Sequence, residues 1–147
     1  MAQKSGKILI VDDDPEIIKL VKLILKNTKH TLSSAQNGKT ALTELEKQNF
    51  DLLLVDRLMP RMDGISFIKM AKNELKLDIP VILMSAHDME DKGLTEIFDL
   101  IYDIIPKPFT AFRLKMIIRN ALQYQSLQKK YVTLIKSVIN DSGKEYF

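Results

Sequence analysis

Three short apolar runs, ILIV at 8–11, LLLV at 52–55 and VILM at 81–84, constrain this chain more than any other feature. None of them alternates apolar with polar residues. A strand of that kind expects burial on both faces, as in a parallel sheet covered by helices on either side. Segments of helical period lie between the runs. Asp14 and Pro15 read as an N-cap followed by proline in the first helical position, and Ile17, Leu20, Val21, Ile24 and Leu25 then form one apolar stripe. Ala41, Leu42 and Leu45 form a second stripe after Asn37 and Gly38. A third helix is expected to begin near Gly64 and to turn Ile65, Ile68 and Ala71 inward. A fourth is expected after His87 and Asp88, with Glu90 and Asp91 complementing the positive end of its dipole.

Two weaker strands complete the set. Residues 31–35 (TLSSA) are polar enough for an edge, and residues 102–105 are short, mixed and stopped by Pro106 and Pro108. Strictly alternating strands and helices imply an α/β fold, a doubly wound five-stranded parallel sheet. Edge character in the second and fifth strands suits the flavodoxin-like order 2-1-3-4-5. From Thr110, a plausible N-cap, helical sequence runs without Gly or Pro to about residue 140. Its roughly 31 residues would span about 46 Å at ~1.5 Å per residue, more than the roughly 35 Å diameter of the preceding body. An extended C-terminal helix that overhangs the domain is therefore expected. Ile117, Ala121, Tyr124, Gln128, Tyr131, Ile135 and Val138 follow alternating spacings of four and three, the seam pattern of a coiled coil, which suggests a homodimer through this helix. The expected division is residues 5–124 as the domain and 125–147 as a helical extension or linker.

Composition excludes several classes. The chain has 22 basic and 19 acidic residues, and its +3 excess is too small for a nucleic-acid surface. Lys129, Lys130, Lys136 and Lys144 against Asp141 and Glu145 place +2 of that charge in the tail. With no Cys, disulfide scaffolds, thiol nucleophiles and Cys-based zinc sites are ruled out. No apolar run approaches the ~20 residues of a membrane helix, and the N-terminus lacks a signal-peptide core. A cytoplasmic protein that engages neither membrane nor nucleic acid directly is expected.

Ligands of open α/β sheets gather beyond the carboxyl ends of the strands. The polar residues there are Asp12, Asp13 and Asp14 after the first strand, Asp56 after the third, Ser85 after the fourth and Lys107 after the fifth. Crowded carboxylates need a proton or a cation to neutralise them. Hard oxygen donors of this kind favour Mg²⁺, which keeps open positions for phosphate oxygens. With a lysine and a hydroxyl opposite, the set forms a clamp for a transferring phosphoryl group, and Asp56 is the natural nucleophile.

These residues, together with Met59, Pro60, Met62, Asp63 and Gly64 after Asp56, Ala86 after Ser85, and Pro108 and Phe109 after Lys107, resemble the receiver domain of two-component response regulators over about residues 7–124. The resemblance implies that Asp56 accepts a phosphoryl group from a sensor histidine kinase or phosphotransfer protein. It implies Mg²⁺ held by Asp13, Asp56 and the backbone carbonyl of Leu58, with Asp12 acting mainly through a bound water. Ser85 would hydrogen-bond the phosphoryl group, Lys107 would pair with carboxylate and then phosphate, and a cis Lys107–Pro108 bond would aim that lysine. Binding rather than turnover is the implied output. The chain departs from the family at Ile104, where many receivers carry a switch aromatic, and at Leu100 and Ile101, where a small pair is usual. An unusual fourth helix and a nonstandard partner surface are expected. Tyr102, on the same face as Ile104 by strand alternation, is a poor substitute for the missing ring. Leu58 cannot orient an attacking water, although His87 could, so slow loss of the phosphoryl group is expected.

Two other readings compete. An aspartate-nucleophile phosphatase would place its nucleophile in a D-x-D pair, which Asp12 and Asp14 match superficially. Glu16 is wrong for that class and there is no room for a cap. A receiver-like scaffold that works without phosphorylation is the other. The tail is too short to make a DNA-binding domain and reads as a linker, which favours a chain cut from something longer.

Overall fold

The structure, a computed structural model, describes residues 5–86 and 92–145. The order is β1 (Lys7–Val11), α1 (Pro15–Ile24), β2 (Thr31–Ala35), α2 (Gly38–Lys47), β3 (Leu52–Asp56), α3 (Gly64–Asn73), β4 (Val81–Ser85), α4 (Lys92–Glu96), β5 (Asp103–Pro106) and α5 (Ala111–Glu145). All strand pairs are parallel and the sheet order is β2-β1-β3-β4-β5. The polar β2 and the short β5 are the edges, as their composition expects.

The unbroken apolar runs have a direct cause. Alternate residues of each central strand feed two separate cores. Ile8, Ile10, Leu52, Leu54, Ile82 and Met84 meet α1 and α5 on one face. Leu9, Val11, Leu53, Val55, Val81 and Leu83 meet α2, α3 and α4 on the other. With both faces covered, no position in β3 or β4 can be polar until the strand ends, at Asp56 and Ser85.

Local chemistry fixes where the helices start. The Asp14 carboxylate accepts from the Glu16 N–H at 2.9 Å ahead of Pro15. Asn37 caps α2 through the Thr40 N–H, and Asp63 caps α3 through the Ser66 N–H at 2.7 Å. The inward stripe of α1 differs from expectation. Leu20 is 41% exposed, and Ile18 is buried in its place. In α3, Phe67 is fully buried alongside Ile68 and Ala71, whereas Ile65 is only partly covered.

Two departures, and one expectation that falls outside the described residues, concern the last third of the chain. The expected start of the fourth helix, at His87, Asp88, Glu90 and Asp91, lies outside the described residues; α4 proper is a short Lys92–Glu96 segment followed by turns over 97–100. Tyr102 does not share a face with Ile104. It precedes β5 in a bend and packs against the α1–α5 core, whereas Ile104 packs against the opposite core. Its ring meets that of Tyr124 on α5, with centroids 5.5 Å apart. Finally, α5 continues through Gly143 to Glu145 instead of ending near 140.

Candidate functional site

The carboxyl edge of the sheet carries the ladder one residue beyond its strands. Asp12 N–H donates to the Ala35 carbonyl, Arg57 N–H to Met84, and Lys107 N–H to Ser85, at 2.9 to 3.1 Å. These bonds fix the backbone from which the expected site residues project. The Lys107–Pro108 peptide is cis, as the resemblance implies.

Lys107 Nζ donates to Asp56 Oδ1 at 2.8 Å and to Asp12 Oδ2 at 3.0 Å. The other Asp12 oxygen accepts from the Asp14 N–H at 2.9 Å. Asp12 is fully buried and both of its oxygens are engaged, so it is held as an anchor. Asp13 is exposed, but a carboxylate oxygen of each of Asp12, Asp13 and Asp56 lies within 4.8 Å of the other two. Three carboxylates at that spacing, one of them open to solvent, fit a hard divalent cation that retains part of its hydration shell. Asp14, by contrast, is used as a helix cap, so Asp12 and Asp14 do not form a D-x-D pair facing one site.

Electrostatics describe a pocket short of positive charge. Burial pushes the Asp12 carboxyl above its ordinary range, against the pull of the Asp14 N–H and Lys107. Burial also raises Asp56; Lys107 pulls it back and the neighbouring Asp13 charge adds to the rise. For Lys107, burial lowers the affinity for the proton, but hydrogen bonds to Asp56 and Asp12 outweigh it and the net shift is upward. One ammonium shared by two buried carboxylates leaves the cluster with an excess of negative charge.

Ser85 is buried at the end of β4, in register with Pro106 and so beside the strand that delivers Lys107. Leu58 is 54% exposed on the loop after Asp56, with its side chain turned to water. His87 lies outside the described residues. Sequence reasoning gave no role to Arg57, and named Gly64 only as a helix start and a motif residue. Arg57, directly after Asp56, is a buried charged residue, and no periodicity in the sequence signals that. Gly64 lies against the site backbone, where a Cβ would sit 2.2 Å from the Asp56 carbonyl oxygen and 3.0 Å from Arg57 Cα. Its N–H donates to the Arg57 carbonyl at 2.8 Å. Only glycine lets α3 start this close to the strand end.

Comparison with known proteins agrees with this geometry. The model of the response regulator receiver domain matches residues 8–119. The chain is 33% identical over 133 residues to the response regulator GtcR of Aneurinibacillus migulanus, covering 88% of this chain and 54% of that protein. It is 31% identical over 137 residues to the nisin biosynthesis regulatory protein NisR of Lactococcus lactis, covering 93% of this chain and 59% of the relative. The crystal structure of NtrX from Brucella abortus superposes with a TM-score of 0.82 at 28% identity, over 89% of this chain and 30% of that one. The chain thus spans between half and three-fifths of the two curated relatives. Sheet order, the acidic cluster with its lysine, and a family match over most of the length converge: the chain belongs to the receiver domains of two-component response regulators.

Proposed function

We propose that this chain is a phosphorylation-dependent signalling module in which Asp56 takes a phosphoryl group from a sensor histidine kinase or a phosphotransfer protein. The observation that carries the reading is the single ammonium of Lys107 spanning Asp12 and Asp56, with Asp13 beside them, at the open edge of the sheet. An Asp56 carboxylate oxygen attacks phosphorus, the P–N bond to the donor imidazole breaks, and the imidazole leaves with the electron pair. Mg²⁺, held by Asp13, Asp56 and the Leu58 carbonyl with Asp12 behind a water, would offset the charge of the transferred group. Lys107 exchanges part of its bond to Asp56 for one to the phosphoryl oxygens, and the Ser85 hydroxyl donates to the same group.

Hydrolysis returns the free carboxylate and inorganic phosphate. In this reading it is slow, since Leu58 offers nothing to orient water. The chemistry is confined to that one transfer and its reversal by water, and the output is a change in binding. Ser85 leads into the segment before α4, so drawing its hydroxyl inward biases the surface of α4, β5 and α5. Residues 5–124 form the switch, 125–147 extend it, and the extended helix pairs two copies. The phosphatase reading is less favoured because Asp14 caps α1.

The test is incubation of the chain with acetyl phosphate and Mg²⁺ followed by intact mass measurement. One phosphoryl group per chain is expected, and none on Asp56→Asn. Full labelling of Asp56→Asn, or steady turnover of phosphomonoesters by that variant, would overturn the proposal.

A further inference from the structure

The acidic pocket is not the only concave part of the molecule. At the other end of the strands, where Pro80 leads into β4 and Tyr102 into β5, a cleft of about 840 Å³ opens between the turns before β5 and the stretch of α5 that leaves the body. Small-molecule sites typically enclose about 300–1,000 Å³. Pro80, Leu100, Ile101 and Val132 supply apolar wall. The rings of Tyr102 and Tyr124 meet beside them, with centroids 5.5 Å apart.

The polar lining divides into groups that the fold engages and groups that it does not. Lys72 Nζ donates to the Ile79 carbonyl and feels the Asp78 charge, so that cation and that acid serve each other. Gln128 donates to the Tyr124 hydroxyl at 3.0 Å. Gln125 is different. It lines the cleft at only 8% exposure, and its Nε2 has no hydrogen-bond partner. A buried donor without an acceptor destabilises the fold, and such groups are few in native proteins. An acceptor seated in the cleft would satisfy it. Lys129 follows four residues later and so shares that face of α5. Asp99 belongs to the opposite wall, in the turns before β5. Lys129 and Asp99 are both exposed, and neither forms an ion pair among the described residues.

We propose that this cleft binds a short zwitterionic peptide of two or three residues, its carboxylate held by Gln125 Nε2 and Lys129 and its ammonium by Asp99. Three features select this ligand. The unengaged donors stand on one wall and the unengaged acid on the other, so the ligand needs opposite charges at its two ends. A simple anion would face Asp99, and a simple cation would face Lys129. Apolar surface lies between the two charged walls, which calls for a body with apolar side chains. Size is the third feature. A free amino acid carries both charges on one carbon and fills a small part of the space, whereas two or three extended residues separate them by about 7–10 Å. Capture of a peptide by its terminal carboxylate or amine is a recurring mode of recognition. The site is separate from Asp56, and no step of phosphoryl transfer passes through it.

The experiment is isothermal titration calorimetry of the full chain with leucyl-phenylalanine, its N-acetylated form, its C-amidated form and free phenylalanine. Circular dichroism melts establish that each variant is folded. The dipeptide is expected to bind one per chain, with a dissociation constant on the order of tens of micromolar. Acetylation should weaken binding to wild type about tenfold and leave binding to Asp99→Asn unchanged. Amidation should weaken binding to wild type by a similar factor, about tenfold, and change little for Lys129→Met. Gln125→Met keeps the volume and removes the orphan amide, so it should melt a few degrees higher yet bind the dipeptide about tenfold more weakly. No binding of the dipeptide, or blocked forms that bind as well as the parent, overturns the proposal. Wild-type affinity in all three variants would put the peptide elsewhere and overturn it too. Free phenylalanine that binds as tightly as the dipeptide would make the occupant a single amino acid and overturn the span between two walls. A lower melting temperature for Gln125→Met would show that the fold itself satisfies the amide, and would overturn its part in the site.

Discussion

The two ends of this molecule break the usual partition of polar and apolar groups in opposite senses. At the carboxyl edge of the sheet, charge is buried: Asp12 is inaccessible, Asp56 nearly so, and one lysine serves both. Along the second half of α5, apolar surface is exposed without a break. An ordinary core needs neither arrangement, and each is informative for that reason. The carboxylates of the cluster outnumber the one ammonium that serves them, and the apolar side chains of the helix are open to solvent. In the proposed reading the first end serves an ion and a phosphoryl group.

Substitutions at the two ends should separate cleanly. The largest effect is expected at Gly64→Ala, where a methyl group would strike the Asp56 carbonyl. A loss of about 3 kcal/mol in denaturant unfolding is expected, and a loss under half that would show that α3 can move away freely. Lys107→Met comes next. It leaves Asp12 and Asp56 facing each other, and about 2 kcal/mol should be lost in EDTA, with a smaller loss in Mg²⁺. Equal losses in both media would mean that the ion does not substitute for the ammonium.

Asp56→Asn works in the other direction. Burial raises both Asp56 and Asp12, so the native state holds protons more tightly than the unfolded chain. Wild-type stability in EDTA should then fall as pH rises from the ordinary carboxylate value through the raised native one. The Asn variant should be about 1 kcal/mol more stable at neutral pH and no more stable at pH 3, where both carboxyls are protonated. A constant advantage at all pH values would place its cause outside charge. The Lys107 contribution runs in the same direction at higher pH: present at neutral pH, it is lost as pH rises through the raised lysine value. Least disruptive to the fold is Leu58→Asn. It should leave the melting temperature unchanged and speed loss of the phosphoryl group on the order of tenfold, well below the ~10²–10⁴ of a full general base. No change in that rate would free Leu58 of responsibility for slow hydrolysis.

Much of this architecture was legible in the sequence because double burial leaves a plain trace. The runs at 8–11, 52–55 and 81–84 have no polar residue because neither face of the strand meets water. Their ends then mark the site, since Asp56 and Ser85 are the first polar residues each strand tolerates. What was not legible depends on contacts that periodicity does not encode. Leu20 and Ile18 both fit a helical stripe, and it is Ile18 that packs into the core while Leu20 stays exposed. The face taken by Tyr102 depended on β5 beginning at Asp103, so that strand alternation does not extend back to it. Gly143 did not stop α5, because a helical glycine costs only about 1 kcal/mol and no glycine among the described residues adopts positive φ. The tight fit of Gly64 over Asp56 is a tertiary contact, although its place shortly after the strand-end acid was the available clue.

In the proposed function a divalent ion makes this buried, over-acidic cluster able to accept phosphorus at one side chain. It is tested most directly by comparing acetyl phosphate labelling in Mg²⁺ and in EDTA, with borohydride reduction and peptide mapping to locate the acyl phosphate. Labelling of Asp56 in Mg²⁺ and none in EDTA is expected. Equal labelling in both media, or reduction at Asp12 or Asp13 instead, would contradict it.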